Sequence, residues 1–355
     1  MARTVKHFSL HRIGRTELRV VAEMETGVLP LIQVEEAVIR GYAKQGLWPC
    51  RSVTLFVLQD LQPLIRQLHA EANLPPGGMG ALDHRPVVNV YDLAVPADSH
   101  IFINQQAMRK EGYWDNPLAI QGLLSHEHAH PLAENETTRS SRCLEVELAW
   151  KDKDIEIWER KNGEKLATFQ ETVHRLLTLL ADKLCLYAPR EVFANDVAIR
   201  SGFSDSLLYL DRCNVSNASR SVAGREELRQ QLQQKVTRGN LTPAAADVLL
   251  LIGDMKGYLD LALEVAPFYR TGHEAEAQGL ERVLKTEVFP HLEPEVPRAY
   301  TTLREQYVAL NADLTPDELV AWGAEVLNIL AKALTEKGLI VQYRLRVAAG
   351  RGEEE

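Results

Sequence analysis

The sequence predicts an α+β protein, a small mixed sheet carrying one diagnostic helix and then a mostly helical C-terminal region. Three observations predict it. Short β-branched and aromatic runs alternate with helical spacings in the N-terminal third, as in Ser52–Leu58 (Ser-Val-Thr-Leu-Phe-Val-Leu). Helical periodicity takes over beyond about residue 215. Between them, a well-capped helix carries His126-Glu127-His128-Ala129-His130.

In chain order, His7–Glu23 alternates loosely about Ile13-Gly14-Arg15 and reads as a hairpin. Val34–Gln45 has helical spacing. Ser52–Leu58 reads as a buried strand, and Leu61–Ala72 as a helix stopped by Pro75-Pro76-Gly77-Gly78. Val87–Leu93 and His100–Asn104 are strand candidates. Asp115-Asn116-Pro117 then supplies a cap and an N1 proline for a helix that Pro131 should end. Residues 143–170 lean toward an inserted β-ribbon about Asn162-Gly163, with a long amphipathic helix as the alternative. Thr172–Leu186 is a helix, and Pro189 opens another that should end near Gly202. Helices follow at Glu226–Val236, Pro243–Val265, Glu274–Val288, Val296–Leu310 and Pro316–Lys337. A last strand, Leu339–Val347, is expected to pair with the N-terminal hairpin, and the tail Arg351–Glu355 to fray. The implied domains are an N-terminal β extension (1–33), a core domain (34–210) with an insertion at about 131–170, and a helical domain (211–355).

Composition narrows the function classes. At 45% hydrophobic and 25% charged residues the chain is ordinary for a globular protein. Its formal net charge of -9, with no basic run, argues against a nucleic-acid partner. Cys50, Cys143, Cys185 and Cys213 form no C-x-x-C pair, so structural zinc or redox motifs are not expected, and reduced, mostly buried thiols are. Residues 1–20 hold no continuous apolar stretch, and no segment reads as a membrane span. The expected location is cytoplasmic.

The chemistry lies in H-E-x-x-H. Residues four apart share a helix face, so His126 and His130 can present two imidazoles to one ion. Glu127 is offset by about 100°, within reach of a metal-bound water and placed to act as general base. With 11 histidines in 355 residues, the motif arises by chance roughly 0.03 times per chain. A catalytic zinc needs a third protein ligand. The near position at which some H-E-x-x-H sequences carry a further His is Glu136 here. The better candidate is Glu191, in the first turns of the helix at Pro189, with Asn195 one turn on as a hydrogen-bond partner for a ligating imidazole. Glu134, Glu136, Glu145, Glu147 and His174 are fallback ligands. His128 points to another face and reads as solvated or supporting, and Asp196 as a weaker alternative to Asn195. The electrophilic helper stays open among Tyr187, His174, Tyr209 and Arg190. His273-Glu274 lacks the second His and reads as a plain helix start.

H-E-x-x-H followed by E-x-x-A-N (Glu191-Val192-Phe193-Ala194-Asn195) resembles the gluzincin metallopeptidases. The order strand, strand, motif helix is similar to the small zincin-like core of the ImmA/IrrE-like and M48-like families, over roughly residues 34–205, and the absence of a readable membrane span favours the soluble relatives. The resemblance implies a zinc ion held by His126, His130 and Glu191, with Glu127 as general base. It implies a metallopeptidase acting on peptides or unfolded protein segments. The alternatives are a catalytically quiet binding module on the same core, or a zinc hydrolase of a small amide. Strand His100–Asn104 reads either as an exposed edge that takes an extended peptide beside the metal helix, or as a strand paired on both sides.

Overall fold

The computed structural model describes residues 4–48, 50–72, 85–91, 98–163 and 170–348. The Pro75–Gly78 helix stop, the end of the Val87–Leu93 run and the Arg351–Glu355 tail lie outside the described residues. The chain is a mixed α+β protein that divides into two compact units, residues 1–133 with 194–213, and residues 134–193 with 214–355.

The first unit is built on a five-stranded sheet. Strands β1 (His7–Ile13) and β2 (Thr16–Ala22) form the hairpin, turning at Gly14 with φ 59°, a left-handed geometry that glycine adopts without steric cost. With β3 (Ser52–Leu58), β4 (Val87–Tyr91) and β5 (Asp98–Asn104) the order is β1-β2-β3-β5-β4. Pairings β2–β3 and β3–β5 are parallel, while β1–β2 and β4–β5 are antiparallel. Alternate residues Leu18, Val20, Val53, Leu55, Val57, Ile101 and Ile103 are fully buried, the period-2 signature of one core-facing side. Helix α1 (Val28–Lys44) packs against the hairpin. Helix α2 (Gln62–Ala72) covers the opposite face, where Leu61 and Ile65 cluster with Leu58, Phe56, Val88 and Phe102.

Several sequence expectations change here. Helix α1 begins at Val28, well before Val34, because Gly27 at φ 81° turns the chain and Pro30 is tolerated in the first turn. The hairpin supplies two strands of the five-stranded sheet. A short helix α3 (Gln105–Lys110), capped by Asn104, follows β5 directly. Strand β5 is paired on both sides, which removes it as a peptide-accepting edge; that edge belongs to β4.

The motif helix is α4 (Pro117–Ala129), which packs on α1 and β4. Asn116 caps it by accepting from the Ala119 amide at 3.3 Å, and Pro117 opens it. Residues His130–Leu132 tighten into a 3₁₀ turn at Pro131.

In the second unit, α5 (Glu136–Ser141) precedes strand β6 (Leu144–Ala149) and helix α6 (Asp152–Asn162). The expected ribbon is thus half right: Ile155 and Ile157 lie on a helix, and Gly163 (φ 66°) ends it as a left-handed cap, not a hairpin turn. Helix α7 (Gln170–Ala181) passes through a π-helical turn, Asp182–Tyr187, into α8 (Ala188–Ala198) without a break. Pro189 therefore sits inside one helical run. A proline lacks the N–H and crowds the preceding turn's carbonyl, and the π turn relieves both. Gly202, at φ 91°, marks the kink where that run was expected to end, and α9 (Ser204–Thr237) continues beyond it.

Helices α10 (Pro243–Tyr258), α11 (Leu261–Arg270), α12 (Glu274–Val283), α13 (Glu295–Val308) and α14 (Pro316–Glu336) complete the helical region. The final strand β7 (Gln342–Val347) pairs with β6, not with the hairpin. That pairing explains why the expected insertion folds with the C-terminal region. Gly323 on α14 has no side chain to separate it from Leu345 of β7 and Cys185.

A buried ion network locks α9 to α10. Arg225 donates to both carboxylate oxygens of Asp254 (3.0 Å each at closest) and to Glu293 at 3.2 Å, and Asp254 is 1% exposed. Removing one partner strands the other charge in the interior. Arg225→Ala is expected to cost about 3–5 kcal/mol of unfolding free energy. Urea or guanidinium midpoints measure it, and a loss below about 1 kcal/mol, the exposed-pair range, would contradict a buried network.

Candidate metal centre

His126 lies in the last turn of helix α4 and His130 is its C-terminal cap one turn on, and their rings meet edge to face with centroids 4.6 Å apart. His130 holds helical dihedrals (φ -51°, ψ -54°) although a proline follows, a position where that conformation is disfavoured. The ring therefore stays on the face of His126. His130 is 8% exposed, while His126 and Glu127 are half-buried.

One nitrogen of each histidine and one carboxylate oxygen of Glu191 all lie within 4.8 Å of one another. Tetrahedral zinc with bonds of about 2.0–2.2 Å separates its ligand atoms by about 3.3–3.6 Å, so the three donors are near the spacing such an ion needs. Among the described residues this is the one group of three His, Cys, Asp or Glu side chains so placed. It can hold a metal ion.

Glu191 is carried by α8, and Asn195 stands one turn further along the same helix. The Asn195 Oδ1 lies 2.7 Å from His126 Nδ1. An amide oxygen only accepts, so this contact puts the proton on Nδ1 and leaves Nε2 as the lone-pair nitrogen. It also fixes the ring about its own axis. Asn195→Ala is expected to weaken metal affinity about 10–100-fold, the usual cost of removing such an orienting partner. Metal titration by competition with a chromophoric chelator reads this, and unchanged affinity would show the contact to be incidental.

Glu127 Oε2 lies 3.9 Å from His130 Nε2. Its backbone carbonyl accepts from Asn89 Nδ2 at 2.9 Å, and Asn89 Oδ1 accepts in turn from Ser99 Oγ. Asn89 thus ties edge strand β4 to the motif residue itself. Sequence reasoning passes over it. Its one visible signal is a lone amide in the middle of Val-Val-Asn-Val-Tyr.

His128 corrects the sequence reading. It is neither solvated nor near the motif face; it is fully buried, with Nε2 2.6 Å from Glu35 Oε1 on α1. Burial alone would lower its pKa. The Glu35 carboxylate, with Cys50 beside the ring, outweighs that and raises it to about 10. Tyr42 OH donates to the Ser125 carbonyl at 2.6 Å, a second buried link from α1 to α4. Gly122 lets α4 approach the start of α9 closely, since a Cβ there would meet the Ser206 carbonyl oxygen at 2.7 Å. Helix α4 is thus fixed along much of its length. Glu35 was legible in principle: it falls on the buried stripe Val28, Leu31, Ile32, Glu35, Val38, Ile39, Tyr42, where a charge requires a partner.

The other candidates fall outside the cluster. Glu134 pairs with Arg142, Glu136 with Arg139 at 3.2 Å, and Glu145 with Arg346 at 3.7 Å, while Glu147 is exposed. Asp196 is buried, next to Asn195. Among the possible electrophilic helpers, His174 Nδ1 accepts from Trp150 Nε1 (3.1 Å), and Tyr209 OH accepts from the capping Asn116 (2.6 Å). Both are committed to other contacts. Tyr187 is 52% exposed, and Arg190 precedes Glu191 with a buried Nε that has no hydrogen-bond partner. His273 stands at the N-cap position before α12, its Nδ1 3.1 Å from Thr271 Oγ1. None of the four cysteines forms a disulfide, but only Cys50 and Cys185 are buried, fewer than expected. No helix among the described residues is long and apolar enough to cross a membrane.

No protein-family model, curated protein or solved structure matches this chain.

Proposed function

We propose that the chain is a zinc-dependent metallopeptidase of the gluzincin type. The observation that carries this reading is the convergence of His126, His130 and Glu191, with Asn195 on the outer nitrogen of His126 and Glu127 beside His130. Two imidazoles and one carboxylate suit zinc and leave a coordination position open for catalysis. Zinc, when bound, supplies an acidified water and a Lewis acid.

The chain's own residues do the rest. Glu127 accepts a proton as water attacks the carbonyl and delivers it to the departing amine. Asn195 holds the His126 ring in its ligating tautomer. Among the described residues no further strand follows β4 in the sheet, and Asn89 holds that strand against the Glu127 carbonyl. An extended peptide added there as a further strand would lie alongside the motif helix. This favours a peptide or an unfolded protein segment as substrate over a small amide.

The test is hydrolysis of a quenched-fluorescent peptide library and of an unfolded protein by the zinc-loaded chain. Cleavage that stops on chelation and returns with zinc supports the reading. Zinc-loaded chain that cleaves neither, while a small amide is turned over, overturns it.

A further inference from the structure

Two further functional groups flank the Glu191 carboxylate on its own helix. From Tyr187, the last residue of the π turn, to Ala194, only Tyr187, Arg190 and Glu191 are not buried. Tyr187 is exposed, and Arg190 and Glu191 are half-buried. The helical run passes from Tyr187 into α8 without a break. Arg190 and Glu191, three and four residues on, are therefore its neighbours on one side of the helix. Cα–Cβ bonds tilt toward a helix N-terminus, so the Glu191 side chain leans toward the turn that Tyr187 occupies. The unburied arc of this helix thus presents a donor of the metal cluster, a phenol and a guanidinium together.

Most polar groups along this arc are engaged. Glu191 belongs to the cluster, and Asn195, one turn on, is held by His126. One turn before Tyr187, Lys183 pairs with Asp260. Tyr187 and Arg190 differ: neither has a hydrogen bond or an ion pair among the described residues. The Arg190 Nε is moreover buried. A buried N–H without an acceptor is costly, and native chains keep few of them. A guanidinium is also permanently charged, and its rigid fork of donors matches a carboxylate. The hydroxyl of Tyr187 adds a further donor beside it.

We propose that Arg190 and Tyr187 form a carboxylate-binding subsite beside the metal cluster, and that the preferred substrate is a peptide with a carboxylate close to the scissile bond. The guanidinium holds the carboxylate through two parallel N–H donors, and the Tyr187 hydroxyl donates to it as well. An Asp or Glu side chain and a free C-terminus offer this same chemistry. The inference rests on the reading of His126, His130 and Glu191 as the metal site, and it narrows the peptides which that reading leaves open.

The experiment uses the full zinc-loaded chain carrying Glu127→Gln, so that bound peptides persist. The probes are three dansyl-labelled mixtures of randomised, uncharged octapeptides: one with a free C-terminal carboxylate, one amidated, and one amidated with a single central Glu. Fluorescence anisotropy gives their affinities. At least one carboxylate mixture is expected to bind about tenfold or more tighter than the neutral amide, and whichever does identifies the source. Adding Arg190→Gln should bring the mixtures within about twofold of one another at unchanged zinc content. Tyr187→Phe, at an exposed position, should weaken the carboxylate mixture about threefold. A neutral amide bound as tightly as both carboxylate mixtures, or a preference that survives Arg190→Gln, would overturn the proposal. So would zinc-bearing chain that binds none of the three. A failed metal reading shows differently, as a chain that takes up no zinc, whereas a failed subsite leaves the zinc in place and only the preference missing.

Discussion

Glu127→Gln is expected to keep its metal and lose peptide hydrolysis by about 10²–10⁴-fold, the range that a positioned general base contributes. The substitution is nearly isosteric and removes only the ability to take a proton. Glu127 is not one of the three clustered donors, and its half-buried side chain stands 3.9 Å from His130 Nε2, so the cluster should survive the change. Its backbone carbonyl, which holds Asn89, is untouched as well. The effect should fall on kcat at unchanged metal content. Turnover within about tenfold of the wild type would take the base role away from Glu127.

Glu191→Ala is expected to weaken zinc affinity by more than about 100-fold, beyond the loss set by an orienting partner such as Asn195. Glu191 supplies the sole carboxylate of the cluster and rides on α8, the helix that also presents Asn195. Two imidazoles on consecutive turns of α4 would remain. Such a pair still binds divalent ions, so the readout must be affinity by chelator competition and not bound metal at saturating zinc. Affinity equal to that of the wild type would mean that another side chain completes the site.

The separation between these two variants matters. One should lose chemistry with metal in place, and the other should lose metal itself. A single fold defect cannot give both patterns.

Much of this site is legible in the sequence because its parts obey local rules. His126 and His130 share a face by helical spacing, and Asn116-Pro117 announces the start of their helix. Glu191 and Asn195 are linked by the same spacing on a second helix. Strand β3 is readable from its β-branched run alone. What escapes is set by tertiary contact. His128 lies between the two motif histidines, yet its environment is decided by Glu35, which is distant in sequence. Which strand is the sheet edge depends on the order β3-β5-β4, which no local pattern encodes. The pairing of β6 with β7 likewise joins residues that sequence order separates widely. Pro189 misleads for a different reason: a π turn accommodates it within a helix, where the local rule reads a boundary.

The central claim is that His126, His130 and Glu191 form a metal site, and bound metal per chain tests it most directly. Purified wild type and His126→Ala, each supplied with zinc and then desalted, would be compared by elemental mass spectrometry. The account predicts roughly one zinc ion per wild-type chain and almost none in the variant, as a site of three protein ligands requires. Folded wild-type protein that retains no metal, or a variant that retains as much as the wild type, would contradict it.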